Sequence, residues 1–288
     1  MAKEKNHFGR WLLSVVIAVV AAALILYGVT QLALSSSLSR KNMRALAETV
    51  RIEEVADRPT LVRIVNTVIY KWTNAFSSSS IYATEATLPT YYDEAEVKDA
   101  LGNVYAQVGR SLKTGKPTDI TAKDLLPAMG RLRGCIGEKL GVQITDEMCL
   151  EELEGAVDVR SLNRTYPKIV RVWLGIILIA VAVLLLAVML FVRRENLFMG
   201  GFYLTLSFGI PGVVLFISSL SLSTLPRALS SFLPEEAWLM IIKKCLRTTG
   251  AACFIAAALG VVLMIAYLVD RRRVKKLTAH RRKEEDLL

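Results

Sequence analysis

The stretch VWLGIILIAVAVLLLAVMLFV, residues Val172–Val192, decides the fold class of this chain because it is 21 residues long and carries no charge. A helix rises about 1.5 Å per residue, so roughly 20 apolar residues cross the ~30 Å hydrocarbon core of a bilayer. Backbone N–H and C=O groups find no partners in hydrocarbon, which leaves a helix as the expected structure. The buried helix of a soluble protein usually shows recurrent polar residues, and none occur here.

Three further uncharged stretches meet the same length criterion: Trp11–Leu34, Leu197–Leu222 and Gly250–Val269. Together with Val172–Val192 they predict an all-α membrane protein with four transmembrane helices. The overall composition agrees with this, since 53% of the residues are hydrophobic and the mean hydropathy is +0.42.

The first stretch has an alternative interpretation as a cleavable signal peptide, since Lys3, Lys5 and Arg10 precede it. A cleavable apolar region has about 7–15 residues. Trp11–Leu34 has 24, so we expect a retained anchor, although Ala33–Ser36 would permit cleavage.

The distribution of basic residues predicts the orientation. The chain has 36 Lys and Arg against 26 Asp and Glu, and 13 of the basic residues lie in three short flanks, 1–10, 193–196 and 271–288. Short Lys/Arg-rich flanks stay in the cytoplasm. The segment from Ser35 to Arg171 is nearly neutral, with 19 basic and 18 acidic residues. We therefore predict cytoplasmic N- and C-termini and a plasma (cytoplasmic) membrane location.

This orientation gives a complete predicted organisation. Its order is a cytoplasmic N-terminus (1–10), transmembrane helix 1 (11–34), an extracytoplasmic helical domain (35–171), transmembrane helix 2 (172–192), a cytoplasmic turn (193–196), transmembrane helix 3 (197–222), an extracytoplasmic loop with an amphipathic helix (223–249), transmembrane helix 4 (250–269) and a basic cytoplasmic tail (270–288). A basic tail beside a span is typical of contact with anionic lipid and not with nucleic acid, so we expect no nucleic-acid partner.

The segment between the first two spans shows apolar residues at helical spacing. One stripe follows Pro59, a second runs from Asp93 to a stop at Gly115, a third begins at a capping-box-like Thr121 with Asp124, and a weaker one begins at Thr145. These patterns predict a domain of about four helices.

Two cysteines of this segment, Cys135 and Cys149, lie 14 residues apart. In an oxidising compartment they can pair, and closing a loop of about 15 residues contributes roughly 3 kcal/mol in the chain-entropy model. We predict this disulfide, with two free, buried cysteines as the alternative. No metal or cofactor site is expected, because the segment has no histidine and no other cysteine.

The span interiors carry no ionisable residue, which disfavours an ion-coupled transporter. Small residues recur instead at four-residue spacing, which is typical of closely packed helices. The rows are Ser14–Ala18–Ala22, Gly201–Thr205–Gly209 and Ala252–Ala256–Gly260.

The third span also contains Gly209, Pro211 and Gly212. Proline removes a helical hydrogen bond and clashes with the preceding turn, so we expect a kink that shapes packing. A hinge or a small polar pocket beside Ser207 is the alternative.

An amphipathic helix is predicted after Pro234, with Trp238 on its apolar side and Lys243 and Lys244 toward its C-terminal end. Such a helix can lie in the head-group plane as an interfacial helix. It can equally dock on the exterior domain or continue into the fourth span.

None of the common catalytic motifs occurs, and the two histidines, His7 and His280, both lie in the predicted cytoplasmic flanks. We therefore expect that the protein is not an enzyme.

The order of one span, a large exterior segment with its helical stripe from Tyr91 to Gly130, and three closely spaced spans resembles two groups. The permeases of FtsX-like and MacB-like ABC exporters share the topology, but they carry a coupling helix where this chain has only Arg193–Asn196. Uncharacterised bacterial four-span membrane proteins with an extracytoplasmic helical domain are the second group.

These observations predict a non-enzymatic integral membrane protein whose exterior helical domain binds or senses a surface partner. An accessory subunit of a transporter or channel complex is the alternative. Expected partners are the lipid bilayer, anionic lipid at the basic tail, and either another protein or a second copy of this chain.

Overall fold

A computed structural model describes residues 2–52, 57–75, 81–156, 162–192, 196–223 and 235–285. The described part contains no β-strand, although an isolated bridge pairs Pro117 with Thr165. The predicted all-α class is therefore confirmed. The helices are α1 (Ala2–Ser37), α2 (Arg40–Thr49), α3 (Arg58–Ala75), α4 (Leu88–Tyr91), α5 (Glu94–Thr114), α6 (Ala122–Leu125), a 3₁₀ turn (Leu126–Met129), α7 (Gly130–Leu140), α8 (Asp146–Ala156), α9 (Val172–Val192), α10 (Leu197–Ser221) and α11 (Glu235–Glu285).

Four of these helices are long and apolar enough to cross a membrane, as predicted. The candidate spans are Trp11–Ser37, Val172–Val192, Leu197–Ser221 and Trp238–Val274. The fourth differs from its predicted bounds, because its apolar stretch lies inside a single 51-residue helix. Residues 193–195 of the predicted turn, 224–234 of the predicted loop and 286–288 of the tail lie outside the described residues.

The chain divides into two compact units. The first, here the membrane unit, comprises Met1–Leu34, Arg171–Ser223 and Ile242–Leu288. The second, here the polar unit, comprises Ser35–Val170 and Thr224–Ile241.

Glycine pairs allow close contacts between helices of the membrane unit. A Cβ added to Gly28 of α1 would lie 2.7 Å from the Gly175 carbonyl oxygen of α9. A Cβ on Gly201 of α10 would lie 2.6 Å from the Gly260 oxygen of α11. Both distances are below normal van der Waals contact, so these backbones approach closely only because the residues are glycines.

The small residues that were predicted to pack between the spans are only partly the ones that the structure buries. Ser14, Ala18 and Ala22 are buried, with 4%, 4% and 6% of their surface exposed. On α11, however, Cys253 and Ala257 are buried while Ala252 is exposed. The buried face of α11 therefore includes Gly260 of the predicted row, but Cys253 and Ala257 take the places predicted for Ala252 and Ala256.

The core of the polar unit is apolar and is formed by α3, α4, α7 and α8. Its largest buried side chain is Trp72 of α3, which is 1% exposed. The cluster also contains Val65, Val68, Ile69, Ala83, Leu88, Tyr91, Ala122, Met129, Leu132, Ile136, Ile144, Cys149 and Leu153. This unit therefore has a hydrophobic core of its own, which is what holds surface residues in fixed positions.

Helix α2 packs along α5, and the sequence analysis did not predict α2. Met43, Leu46 and Ala47 are its buried residues. Ser39 caps α2, since its hydroxyl accepts a hydrogen bond from the Asn42 N–H at 3.4 Å. Contact with α5 is close at Gly109, where an added Cβ would lie 2.9 Å from Met43 Cγ.

Two asparagine side chains hold extended segments in place. The Asn66 amide donates to the Ala83 oxygen at 2.9 Å and accepts from the Ala83 N–H at 2.6 Å. Asn163 does the same with Ile120, at 3.0 Å and 2.7 Å. Each amide thus replaces the two hydrogen bonds that a neighbouring strand would supply.

Candidate binding site

The longest helix of the polar unit, α5, begins and ends as its sequence predicts. Asp93 is the N-cap, and its carboxylate accepts from the Ala95 N–H at 2.8 Å. Gly115 ends the helix in the left-handed conformation, with φ of 73°, which glycine adopts without steric cost. These two caps fix the register of α5 and therefore the direction of the side chains near its start.

One of those side chains, Glu96, caps the start of α7. Its carboxylate accepts a hydrogen bond from the Arg131 N–H at 2.7 Å. A carboxylate is favourable here because unpaired N–H groups and the helix dipole make a helix N-terminus positive. Gly130 makes room for it, since an added Cβ would lie 2.5 Å from Glu96 Oε1.

Two neighbouring open clefts lie between helices of the polar unit. The first, about 780 Å³, is lined by the end of α7, the following turn and the start of α8, including Glu138, Gln143 and Glu147. The second, about 550 Å³, is lined by α5, the 3₁₀ turn and the start of α7, including Glu96 and Asp99.

The clefts share Arg133 and Asp146, which form an ion pair. We call the combined surface the acidic groove. It is lined by five carboxylates, those of Glu96, Asp99, Glu138, Asp146 and Glu147, and by two cations, Lys123 and Arg133.

Three of the groove carboxylates are uncommitted, which here means that they have no hydrogen-bond or ion-pair partner among the described residues. Glu96 caps α7 and Asp146 pairs with Arg133. The exposed side chains of Asp99, Glu138 and Glu147 make no hydrogen bond or ion pair with any residue that the structure describes. The groove therefore presents excess negative charge, which favours a cationic ligand.

A lysine–tyrosine contact holds α7 to α4. Lys139 Nζ donates to the Tyr91 hydroxyl at 2.8 Å and lies 4.8 Å from the ring centroid. This hydrogen bond raises the pKa of Lys139, because it favours the charged ammonium.

The predicted disulfide is not supported by the structure, in which Cys135 and Cys149 are both free thiols. Cys149 is fully buried in the core, and burial raises the pKa of its thiol. The inward face of α7 is set by Leu132 and Ile136. Cys135 precedes Ile136 and so lies about 100° around the helix from that face, at the margin of the core. The alternative of free cysteines is the one that the structure shows.

The predicted kink residues lie inside an uninterrupted helix. Pro211 is within α10, and Gly212 packs near Phe254, whose ring carbons would lie 3.1 Å from an added Cβ. A Cβ added to Gly209 would have no neighbouring atom within 4 Å. The hydroxyl of Ser207 donates to the Ala18 oxygen at 3.1 Å. That hydroxyl is thus used in packing, and a kink at Pro211 remains a prediction.

The predicted interfacial helix is the first part of α11. Trp238 is fully buried, Lys243 is half-buried and Lys244 is exposed. The helix continues without a break into the fourth candidate span, which was one of the alternatives left open by the sequence. A location in the head-group plane remains a prediction.

The acidic groove was not predicted from the sequence. Glu96 and Arg131 are 35 residues apart, and no local spacing indicates that they meet. The capping box predicted at Thr121 is present, since the Thr121 N–H donates to Asp124 Oδ2 at 3.0 Å, but neither residue lines the groove. Among the described residues, no group of three or more His, Cys, Asp or Glu side chains is arranged to hold a metal ion.

No protein-family model matches the chain, and no significant match was found among curated proteins or solved structures. The function therefore has to be argued from the groove and from the membrane unit.

Proposed function

We propose that this is a non-enzymatic integral membrane protein whose polar unit lies outside the cytoplasm and binds a surface partner in the acidic groove. The observation that carries the proposal is the groove itself, an open surface with three uncommitted carboxylates above a closed apolar core. A partner segment carrying Lys or Arg side chains has the complementary charge.

Binding fits the groove better than catalysis does. The only histidines of the chain are His7 and His280, which lie at its two ends in the sequence. No cysteine, serine or tyrosine is among the groove-lining residues. The one lining hydroxyl, that of Thr145, accepts a hydrogen bond from the Met148 N–H at 3.4 Å, which is a capping role at the start of α8.

The location of the polar unit follows from charge. The flanks 1–10, 193–196 and 271–288 hold 13 basic residues, and such flanks stay cytoplasmic. Both termini are then cytoplasmic in the plasma membrane, with the basic tail against anionic lipid. The likeness to bacterial four-span proteins with an extracytoplasmic helical domain belongs to this proposal.

Site-specific photocrosslinking in intact cells tests it. A photoreactive phenylalanine replaces Gln143, which lines the groove, or Tyr70, which is 66% exposed and lies outside it. We expect a discrete adduct from Gln143 and none from Tyr70.

A charge test accompanies the crosslinking. Neutralising Asp99, Glu138 and Glu147 together should abolish the adduct, because it removes the uncommitted charge. The matched control neutralises Glu85, Glu151 and Glu154, which are exposed and do not line the groove. Loss of the adduct in both triple variants, or in neither, would reject the groove as the binding site.

A second candidate function is an accessory subunit of a transporter or channel complex. It is favoured by small residues that do not take part in packing within the membrane unit. Ala252 of α11 is exposed, and a Cβ added to Gly209 of α10 would have no other atom within 4 Å. Such positions let another helix approach closely. Replacing Ala252 by Leu should then dissociate a complex on native gels in mild detergent, and a monomer before the substitution would refute this candidate.

A further inference from the structure

A third cleft of the polar unit has the opposite charge. It encloses about 380 Å³ where the start of α2 meets the C-terminal half of α5. We call it the basic cleft. Its lining residues are Leu38, Arg40, Asn103, Ala106, Gln107, Arg110, Lys113, Thr114 and Asp124.

The three cations of the basic cleft form no ion pair with the described residues. The side chains of Arg40, Arg110 and Lys113 make no hydrogen bond or ion pair with the described residues. Asp124, the one acidic lining residue, is committed to the N–H and hydroxyl of Thr121 at 3.0 Å and 3.1 Å. Lys113 is half-buried, and burial lowers the pKa of its ammonium.

The start of α2 adds a second positive element. Helix N-termini favour acidic residues, because their free N–H groups and dipole are positive. The first turn of α2 instead has Arg40 and Lys41 and no acidic residue. An anion in the basic cleft would offset this repulsion and would contact both α2 and the cations of α5.

Two segments that adjoin the basic cleft are followed or preceded in the sequence by candidate spans. Arg40 is three residues beyond Ser37, where the first candidate span ends, so at most about 11 Å of chain separates them. The Ile169 N–H donates to the Leu112 oxygen at 3.1 Å, which fixes α5 three residues before the second span begins at Val172. The cleft is therefore close in sequence to two candidate spans, which makes a lipid phosphate one of the two sources to test.

We propose that the basic cleft is a phosphate-binding site formed by Arg40, Arg110 and Lys113, with Gln107 as a further hydrogen-bond group. The Asn103 amide is already used within the fold, because it accepts from Arg44 Nη2 at 2.6 Å and donates to the Asp124 oxygen at 3.2 Å. A phosphodiester of an anionic lipid head group and a free phosphate share the chemistry that the cleft recognises, since both offer oxygens to guanidinium and ammonium donors. The site is separate from the acidic groove and does not depend on the proposed function.

Lysine acylation of the full-length protein in nanodiscs tests the site, with Lys113 as the reporter. Rates are measured by mass spectrometry in discs of phosphatidylcholine alone, in discs that also contain phosphatidylglycerol, and in phosphatidylcholine discs with millimolar inorganic phosphate. Lys123 and Lys139 of the same molecule serve as internal comparators.

Occupancy of the cleft should slow acylation of Lys113 about tenfold, as expected for a ligand well above its dissociation constant. Slowing by phosphatidylglycerol alone identifies a lipid head group as the ligand, and slowing by inorganic phosphate identifies free phosphate. No slowing in either arm would overturn the proposal. Equal slowing of all three lysines would overturn it too, because a diffuse surface potential acts on every exposed amine.

Two variants complete the test. Arg110→Gln should reduce the protection of Lys113 to less than about threefold, since a charge-assisted partner of the phosphate is lost. Arg63→Gln removes the same charge from an exposed position on α3, outside the cleft, and should leave protection unchanged. Full protection in Arg110→Gln would contradict the assignment of that residue.

Discussion

Replacing Gly201 by Ala should destabilise the membrane unit at the contact between α10 and α11. The new Cβ would lie 2.6 Å from the Gly260 oxygen and 3.1 Å from the Met264 nitrogen, where ordinary contact begins at 3.4 Å. Both of these atoms belong to backbone, so the helices have to separate by about 0.8 Å at this point. No rotamer change relieves the clash.

The expected magnitude follows from two opposing effects. Overpacking of this kind costs about 1–3 kcal/mol. Alanine is favoured over glycine in a helix by up to about 1 kcal/mol, which offsets part of that cost. We therefore expect a net destabilisation of roughly 1–2 kcal/mol, with Gly260→Ala similar because its Cβ would meet the Gly201 oxygen at 2.5 Å.

The same helix provides the control. Gly209 lies two turns further along α10 and has nothing within 4 Å of an added Cβ, so Gly209→Ala should be neutral or slightly stabilising. The assay is reversible unfolding in mixed micelles, followed by circular dichroism. Equal losses for Gly201→Ala and Gly209→Ala would refute the close-contact explanation, and so would a neutral Gly201→Ala.

Three further predictions concern the polar unit. Cys135 should react with a maleimide in the native protein at pH 8 while Cys149 does not. Because burial raises the pKa of Cys149, native stability should fall as pH rises above about 8.5, and Cys149→Ala should reduce that slope in pH-dependent unfolding; an unchanged slope would contradict the burial effect. Asn163→Ala should cost about 2 kcal/mol in denaturant unfolding, because the Ile120 N–H and oxygen lose their partners, and a neutral result would contradict the bonds at 2.7 and 3.0 Å. Trp72→Phe should cost far less than the ~3–5 kcal/mol of Trp72→Ala, since the indole N–H has no partner in the described part of the chain, and equal costs in thermal melts would rule this out.

Sequence patterns predicted the features that depend on neighbouring residues. Uncharged length predicted the four candidate spans, and cap residues predicted α5, from Asp93 to Gly115. These signals work because hydrophobic length and helix capping are local properties. Helix α2 has few apolar residues, so its amphipathic pattern was too short to detect, and its burial depends on α5.

Local patterns did not predict which face of a helix packs against its neighbours. The spacing of Cys135 and Cys149 permitted a disulfide, but the rotation of α7 places Cys135 beside the inward face set by Leu132 and Ile136. On α11 small residues occur on adjacent faces, and only packing shows that Ala257, not Ala256, is the buried one.

The acidic groove and the basic cleft could not be predicted from local sequence patterns either. Each joins residues from segments far apart in the chain, such as Asp99 with Glu147 or Arg40 with Arg110. A charged residue on a helix face is typical of solvated surface, and only the tertiary arrangement shows which charges share a cleft without partners.

The central claim is that the polar unit lies outside the cytoplasm, and the most direct test is to measure which side of the membrane holds it. Lys116 is exposed just after α5, so Lys116→Cys in a background with the four native cysteines replaced by alanine provides a single reporter thiol. A membrane-impermeant maleimide should label this thiol in intact cells, while a cytoplasmic control protein stays unlabelled. Labelling only after the membrane is permeabilised would place the polar unit in the cytoplasm and contradict the proposed orientation and surface-binding role.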